Sequence, residues 1–369
     1  MSAMEQAIAQ LVDQIRTASA QASALRIRGG GTKDFYGQAL NGEILSTRSL
    51  NAIVAYEPSE LVVTVAAGTP LQELEALLAE QGQTLAFEPP HFGAGATVGG
   101  MVAAGLSGPP RSSVGAVRDY VLGAQMVNGQ GQRLRFGGQV MKNVAGYDVS
   151  RLLAGSMGVL GLVTEVSLKV LPRAVAQATL VFALDQAQAL LCLTRWAGRP
   201  LPLNASFWES DGASGRLTVR LRGALAAVEA ACRELGGERL DEAAANPVWS
   251  ALREQTLPFF ERRGDECLWR LSVPDTTAAM HDLPGPCLVE WGGAVRWCKA
   301  PAQAMSALRG LATAATGTAS VWRHAQASGE RVANCFHPLE GTSRRIQREL
   351  KRQFDPAGIF NPGRMFADF

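Results

Sequence analysis

The amino-acid sequence predicts a mixed α and β protein of two domains: an α/β or α+β first domain and a smaller α/β second one. Three observations carry this. The chain has 369 residues with 47% hydrophobic content, enough for two cores at roughly 100–200 residues per domain. Strand-like alternation and helix-like periodicity follow one another as far as residue 172. Glycine-rich segments crowd that stretch and become sparse after 173, where Ala-rich helices take over.

The chain opens on an amphipathic helix, in which Ile8, Leu11, Val12 and Ile15 recur at helical spacing with Gln10, Asp13 and Gln14 between them. Leu25-Arg26-Ile27 is a short strand running into Gly29–Gly31. Ala52–Tyr56 and Leu61–Ala66 are strands, rich in β-branched residues and bounded by Pro58 and Gly68. Thr69 or Gly68 caps the next helix. Pro70 suits its first turn, Leu71, Leu74, Leu77 and Leu78 make its apolar face, and Gly82 ends it. Residues 89–115 are loop-rich apart from Met101 to Leu106, a small apolar run that reads as a short buried helix. Strands follow at Tyr120–Val127 and Gln132–Phe136, joined by the hairpin dipeptide Asn128-Gly129. Tyr147 to Leu153 is a short helix. Leu162 to Leu171 is a strand with Val166, Leu168 and Val170 on one face, Ser167 and Lys169 on the other, and Pro172 as its stop. In the second domain, strands such as Leu217–Leu221 and Leu268–Val273 alternate with helices such as Ala224–Glu234. The last helix, Ser343 to Phe354, has a basic side (Arg344, Arg345, Arg348, Lys351, Arg352) and an apolar stripe (Ile346, Leu350, Phe354). Its basic side reads as a solvated face or as a docking surface for an acidic partner.

Composition excludes several classes. A net charge of +2 and a pI of about 8.3 give no strong argument for nucleic acid or an anionic membrane surface as the partner, and 7% aromatic content weakens a base-stacking role. The cysteines (Cys192, Cys232, Cys267, Cys287, Cys298, Cys335) contain no CxxC pair. They suit neither structural zinc nor an iron–sulfur cluster, so free thiols in a reducing compartment are expected. The N-terminus has no basic signal region, and no run approaches about 18 apolar residues. A cytoplasmic protein is expected, at most peripheral at the inner membrane through its partners.

Function is carried by three glycine-rich segments in order: Arg28-Gly29-Gly30-Gly31-Thr32-Lys33; Pro89-Pro90 and Gly93 to Gly100, with Ser107-Gly108 behind; and Gly155-Ser156-Met157-Gly158 with Gly161. Without a Cβ, glycine lets backbone N–H groups close on an anion. Each segment alone also reads as a turn, a packing contact or a bulge. Together they point to a long phosphorylated cofactor. The standard nucleotide signatures do not apply: there is no GxxxxGK[ST], and Gly93, Gly95, Gly99 and Gly100 fail the GxGxxG spacing.

This order of motifs resembles the FAD-binding domain of the vanillyl-alcohol oxidase/p-cresol methylhydroxylase superfamily, over about residues 20–172 and again over Phe354–Arg364. The resemblance implies an α+β fold with a two-subdomain FAD-binding domain (1–172), a smaller α/β cap or substrate domain (173–335), and a C-terminal segment (336–369) returning to the FAD domain. It implies FAD contacts from Arg28, Gly29, Gly30, Gly31, Thr32 and Lys33 at the pyrophosphate, and from Pro89, Pro90, Gly93, Thr97, Val98, Gly99 and Gly100 in the second loop. Ser107, Gly108, Arg118 and Asp119 match the same pattern. Gly158, Gly161 and Val163 fall on the adenine-side strand entry, and Asn361 in the C-terminal segment. Some members attach FAD through a histidine where this chain has Thr32, so the cofactor is expected to be noncovalent.

Lys142–Asp148, Leu153–Gly158 and Val289–Trp297 narrow the resemblance to the E subunits of bacterial glycolate oxidases, over nearly the whole chain. That implies oxidation of glycolate, a 2-hydroxyacid, to glyoxylate, and a complex with a second flavin subunit and an iron–sulfur subunit. Related dehydrogenases carry a GHxGDGNxH metal motif. Here His91, His281, His324 and His337 stand in no such motif, so no metal is expected and the catalytic base is unassigned. Two roles follow: a flavin site that relays electrons, favoured by the missing metal motif, or direct substrate oxidation with Arg296 or Arg323 clamping the carboxylate. Arg296 equally reads as a structural partner of Glu290 or another acid. A stand-alone D-2-hydroxyacid dehydrogenase and a non-catalytic assembly subunit are the alternatives; intact glycine loops argue against the latter.

Overall fold

The computed structural model describes residues 2–138, 148–210, 215–326 and 331–368. Two compact units divide the chain: Met1–Ser107, Ala116–Arg173 and Pro338–Phe369 form the first, Gly108–Gly115 and Ala174–His337 the second. The stretch 1–172 expected to be continuous is therefore interrupted, because Gly108–Gly115 packs within the second unit.

In chain order the elements up to residue 172 are α1 (Ala3–Gln21), β1 (Leu25–Arg28), β2 (Glu43–Ser46), β3 (Ile53–Glu57), β4 (Val62–Ala66), α2 (Leu71–Glu80), β5 (Gln83–Thr84), α3 (Val98–Ala104), α4 (Arg111–Val114), β6 (Val121–Val127), β7 (Arg133–Gly137), α5 (Val149–Leu153), β8 (Leu162–Lys169) and β9 (Leu171–Pro172). All but α4 lie in the first unit. β1 and β2 pair in parallel, and an antiparallel sheet runs β3-β4-β8-β6-β7. The Ser2 hydroxyl caps α1 by accepting from Glu5 N at 3.2 Å. Ile8, Leu11, Val12 and Ile15 of that helix pack on Leu25, Leu45, Leu50, Val127, Leu162, Ile359 and Phe360.

Several local expectations change. β2 escaped notice because only one of its four residues, Leu45, is buried, so no alternation announces it. Both faces of β4 are buried, and so is Ser167, whose hydroxyl pairs with that of Thr64 at 2.9 Å. Central strands covered on both sides lose the alternation expected at 162–171. Pro70, not Thr69 or Gly68, occupies the N-cap of α2. Thr69 Oγ1 instead bonds the backbone of Ala52, accepting from its N–H and donating to its carbonyl. Asn128-Gly129 is not a two-residue turn. Asn128 Oδ1 accepts from Gln130 N and Gln132 N, Gly131 takes φ +72, and Gly129 N donates to Phe354 O at 2.8 Å. Tyr147 lies outside the described residues, as does 142–147 of the Lys142–Asp148 motif; α5 starts after Asp148, which caps it.

The second unit adds β10 (Ala176–Ala183), α6 (Gln186–Ala197), β11 (Leu203–Ser210), β12 (Gly215–Gly223), α7 (Leu225–Leu235), β13 (Glu238–Leu240), α8 (Glu242–Glu254), β14 (Glu266–Ser272), β15 (Cys287–Glu290), β16 (Val295–Pro301), α9 (Met305–Ala314) and β17 (Thr318–Arg323). Its sheet runs β13-β10-β12-β11-β15-β16-β14-β17, and every pairing is antiparallel. On one face Leu180, Leu217, Val219 and Val289 pack against Leu190, Leu193 and Val228 of α6 and α7, while Trp269, Leu271, Cys298 and Val321 pack against Leu308 and Ala312 of α9. Period-2 alternation sends Glu290, Arg270, Trp297 and Trp322 to the other face.

α10 (Gly341–Phe354) belongs to the first unit. Arg344, Arg345, Arg348 and Arg352 are exposed, but Lys351 is not part of that basic side: it is buried and bonded to Asp355 at 2.6 Å. Nor does Ile346 join an apolar stripe, being 52% exposed.

Candidate functional site

In the first unit, β1 delivers the chain into the turn Gly29–Lys33, where the crowding explains the composition. A Cβ on Gly29 would collide with Thr97 Oγ1, and one on Gly30 with the carbonyl oxygen of Gly95. Gly31 takes φ +76, a conformation that side chains resist. The N–H groups of Gly29, Gly30, Gly31 and Thr32 meet no acceptor among the described residues. Consecutive N–H groups gathered in a turn form an anion-binding concavity. Arg28 and Lys33 add positive charge on either side. Arg26 and Arg28 are both held by Asp34, at 2.5 and 3.0 Å, and Lys33 Nζ donates to His91 O at 3.2 Å.

The cavity at this turn is lined by Ile27, residues 28–34, Tyr36, Leu40, Thr97, Gly100, Ala103, Ala104, Met157, Asn361 and Arg364. Of the expected cofactor residues it brings together Arg28, Gly29, Gly30, Gly31, Thr32, Lys33, Thr97, Gly100 and Asn361. Val98 and Gly99 lie behind it: both donate backbone N–H groups to the chain after β4, and a Cβ on Gly99 would stand 2.7 Å from that of Ala67. Gly93 abuts Thr32, and Pro89 and Pro90 are buried in the neighbouring loop. Gly158 backs Asn361, whose amide nitrogen would be 2.7 Å from its Cβ. Gly161 and Val163 serve the sheet, packing or pairing with Met126.

The remaining expected residues lie elsewhere. Ser107 Oγ accepts from Val117 N at 3.0 Å, and Asp119 accepts from Ala116 N at 2.8 Å. Arg118 and Asp119 are exposed and line none of this cavity. Gly108 falls in the second unit, where its carbonyl accepts from Trp291 Nε1 at 3.1 Å. Sequence reasoning missed Asp34, Tyr36, Ala103, Ala104, Met157 and Arg364. The available signal for Met157 was its place beside Gly158. It takes φ +51, and Asn361 takes φ +42, a conformation that non-glycine residues hold chiefly where a site demands it.

In the second unit, Trp291, Gly292 and Gly293 take φ values of +55, +66 and +112 in succession. Such a run needs glycine at its later positions, which accounts for the Trp-Gly-Gly motif. The Arg111 guanidinium lies 4.6 Å from the Trp291 ring centroid, and that of Arg270 lies 4.8 Å from it. Arg270 also lies 5.9 Å from the Trp297 ring and 5.6 Å from the Trp322 ring. Glu290, 6% exposed, accepts a short hydrogen bond from Trp297 Nε1. Burial pushes its carboxyl up to about 7, against the opposing pull of that indole N–H and of Arg270. A separate cavity of about 430 Å³ is bordered by Trp291, Ser113, Asn204, Ser206, Leu193 and Trp196.

Of the two arginines proposed as a carboxylate clamp, Arg296 lies on the opposite face of the sheet from Glu290. Arg296 is fully buried and donates to the carbonyls of Gly293 and Thr277, the second at 3.0 Å; Glu290 is not its partner. Strand alternation separates Arg296 from Glu290, and burial lowers its pKa to about 10. Arg323 Nε donates to Gln255 Oε1 at 3.3 Å, and burial, helped by nearby Arg262, lowers it to about 10. Arg296→Met is expected to cost the second unit about 2–4 kcal/mol, because two carbonyls lose a charged donor, and to leave cofactor affinity unchanged. Tryptophan fluorescence reads this unit alone, since all seven tryptophans lie in it. Weakened cofactor binding in that variant would return Arg296 to the functional site.

Residues 6–137 match the family model of an FAD binding domain. Over 358 residues the chain is 44% identical to glycolate oxidase subunit GlcE of Escherichia coli, spanning 97% of both chains. The chain belongs to the GlcE family. A D-lactate dehydrogenase of Archaeoglobus fulgidus is 32% identical over 188 residues, covering 50% of this chain and 41% of that one. The structure of p-cresol methylhydroxylase with substrate bound superposes with a TM-score of 0.71 at 16% identity, over 98% of this chain and 87% of that one, which establishes the shared fold.

As a GlcE-family protein the chain is an FAD-dependent oxidoreductase with the α+β fold expected from its motifs. The turn fits that cofactor's diphosphate on its own chemistry: four N–H groups without acceptors among the described residues, glycines where a Cβ would intrude, and two flanking cations. Among the described residues no group of three or more His, Cys, Asp or Glu could hold a metal ion.

Proposed function

We propose that this chain is the FAD-binding subunit of a complex that oxidises glycolate to glyoxylate and passes the electrons to an iron–sulfur partner. The observation that carries this is the 44% identity to a glycolate oxidase subunit through 97% of the chain, both units included. FAD, when bound, supplies the two-electron acceptor for hydride from the carbon bearing the hydroxyl. Gly29–Thr32 hold its diphosphate by backbone N–H groups, with Arg28 and Lys33 beside it, and Thr32 leaves it noncovalent. In the second unit the buried Glu290 carboxyl, pushed up to about 7, lies near Arg270; its ionised form is the one that would accept a hydroxyl proton, with the guanidinium as a carboxylate partner.

An iron–sulfur partner accounts for the electrons because the cysteines of this chain are scattered, with Cys267, Cys298 and Cys335 buried. A second flavin subunit is supported by 34% identity over 141 residues to glycolate oxidase subunit GlcD of Bacillus subtilis, covering 38% of this chain and 30% of that one. No helix among the described residues is long and apolar enough to cross a membrane.

The test is the visible spectrum of the purified chain before and after anaerobic glycolate, alone and with its partners. Bleaching in the complex only is the outcome expected of a relaying subunit. Bleaching of the isolated chain assigns substrate oxidation to it. A chain that takes up no FAD on reconstitution overturns the proposal. Acid precipitation is expected to leave the flavin in the supernatant; a yellow pellet would mean covalent attachment.

A further inference from the structure

We infer that the C-terminal segment Asp355–Arg364 is the frame that holds the FAD-binding turn in shape, and that Lys351, Asp355 and Arg364 are positioning residues for the cofactor. The inference rests on the FAD reading of the turn.

The frame begins at a buried ion pair. Lys351 Nζ spends its three protons on Val159 O at 2.8 Å, Phe360 O at 2.8 Å and Asp355 Oδ2 at 2.6 Å. Asp355, 1% exposed, accepts from Ile359 N at 3.1 Å and Phe360 N at 2.8 Å through its two oxygens. The pair therefore closes the loop after α10 into one conformation, a use of buried charge that favours specificity over net stability. Gly129 presses on it from the loop after β6: a Cβ there would stand 2.5 Å from Asp355 Oδ1.

That conformation lays the next residues along β1. Leu25 N donates to Ile359 O at 2.7 Å, and Asn361 N donates to Leu25 O at 2.8 Å. Asn361 then ties two walls of the cavity together. Its Oδ1 accepts from Ile27 N at 2.8 Å, and its Nδ2 donates to Met157 O at 2.6 Å. Three residues on, the Arg364 guanidinium grips the far end of the turn through the carbonyls of Gln38 at 2.5 Å, Lys33 at 3.3 Å and Asp34 at 3.2 Å. The turn thus leaves β1 beside Asn361 and comes to rest on Arg364. Its four N–H groups converge only while both ends are held. Lysine at 364 would keep the charge but lose the planar fork that reaches three carbonyls at once.

The experiment is titration of FAD into the full-length apoprotein, followed by quenching of flavin fluorescence and by visible circular dichroism of the bound flavin. Lys351→Met and Arg364→Lys are each expected to raise the FAD dissociation constant tenfold or more and to change the dichroism of the bound flavin. Exposed Arg352→Ala is expected to do neither. Wild-type affinity and dichroism in the Arg364→Lys variant would overturn the inference, even if its melting temperature fell, because the residue would then be structural only. Should Lys351→Met fail to fold, the Arg364→Lys result decides. If the unsubstituted apoprotein takes up no FAD, the reading of the turn fails rather than the frame.

Discussion

Gly30→Ala is expected to yield a folded chain that purifies nearly free of flavin. The added methyl would be driven into the Gly95 carbonyl oxygen, and a backbone atom cannot swing aside as a side-chain end can. Relief requires the Gly29–Lys33 turn to move away from the Thr97 loop. Overpacking of this kind costs about 1–3 kcal/mol. Falling on the turn proposed to hold the diphosphate, it translates into an expected affinity loss of about 10–100-fold. The flavin-to-protein absorbance ratio and the dissociation constant of the reconstituted protein measure it. Gly310→Ala is the control. That glycine sits inside α9 with nothing within 4 Å of its ideal Cβ, so alanine is expected to stabilise the second unit by about 0.5–1 kcal/mol. Full flavin content in Gly30→Ala would mean that the turn does not contact the cofactor.

The second large effect is a pH dependence of the second unit. Because the folded carboxyl of Glu290 titrates at about 7 against an ordinary 4.5, the native protein keeps a proton that the unfolded chain has already lost between those values. The contribution to stability is therefore greatest below about pH 4.5 and declines as pH rises to about 7. Above that it stays level, a total loss of about 3 kcal/mol. Glu290→Gln removes the titrating group and nearly preserves the shape, so the stability difference between variant and parent is expected to grow in the variant's favour from pH 5 to pH 8. Urea unfolding followed by tryptophan fluorescence isolates this unit. The raised thiols of Cys287 and Cys298, at about 12 and 11, lie outside the window. Parallel curves for parent and variant would show that Glu290 is solvated as an ordinary carboxylate.

Much of the first unit was legible. α1 and α2 announced themselves by apolar spacing, and the turn after β1 by glycines whose neighbours leave no room for a Cβ. β2 was not, because only Leu45 of its four residues is buried. Asn128-Gly129 misled because the preference of that dipeptide for tight hairpins yields to a tertiary bond, Gly129 N to Phe354 O, made with a segment more than two hundred residues away. Lys351 read as part of a basic face because helical spacing places it beside Arg348 and Arg352, yet it turns inward to meet Asp355. In the second unit the Val289–Trp297 motif was visible, but the roles inside it were not. Arg296 proved to be a core residue bonded to carbonyls, while Glu290, Trp297 and Arg270 form the polar cluster.

The sequence by itself determined the two-unit α+β organisation, the apolar faces of the leading helices, and the glycine turn that makes the FAD reading possible. These follow from rules of short range: the 3.6 and 2.0 residue periods and the room a Cβ needs. Only the tertiary structure decided that Gly108–Gly115 packs within the second unit, that Arg296 and Glu290 part company, and that the C-terminal segment ties the walls of the glycine turn. The physical reason is that the cost of burying a polar or charged group depends on which partners meet it. Those partners are set by the order of strands in a sheet and by where the chain returns, and neither is written in local spacing.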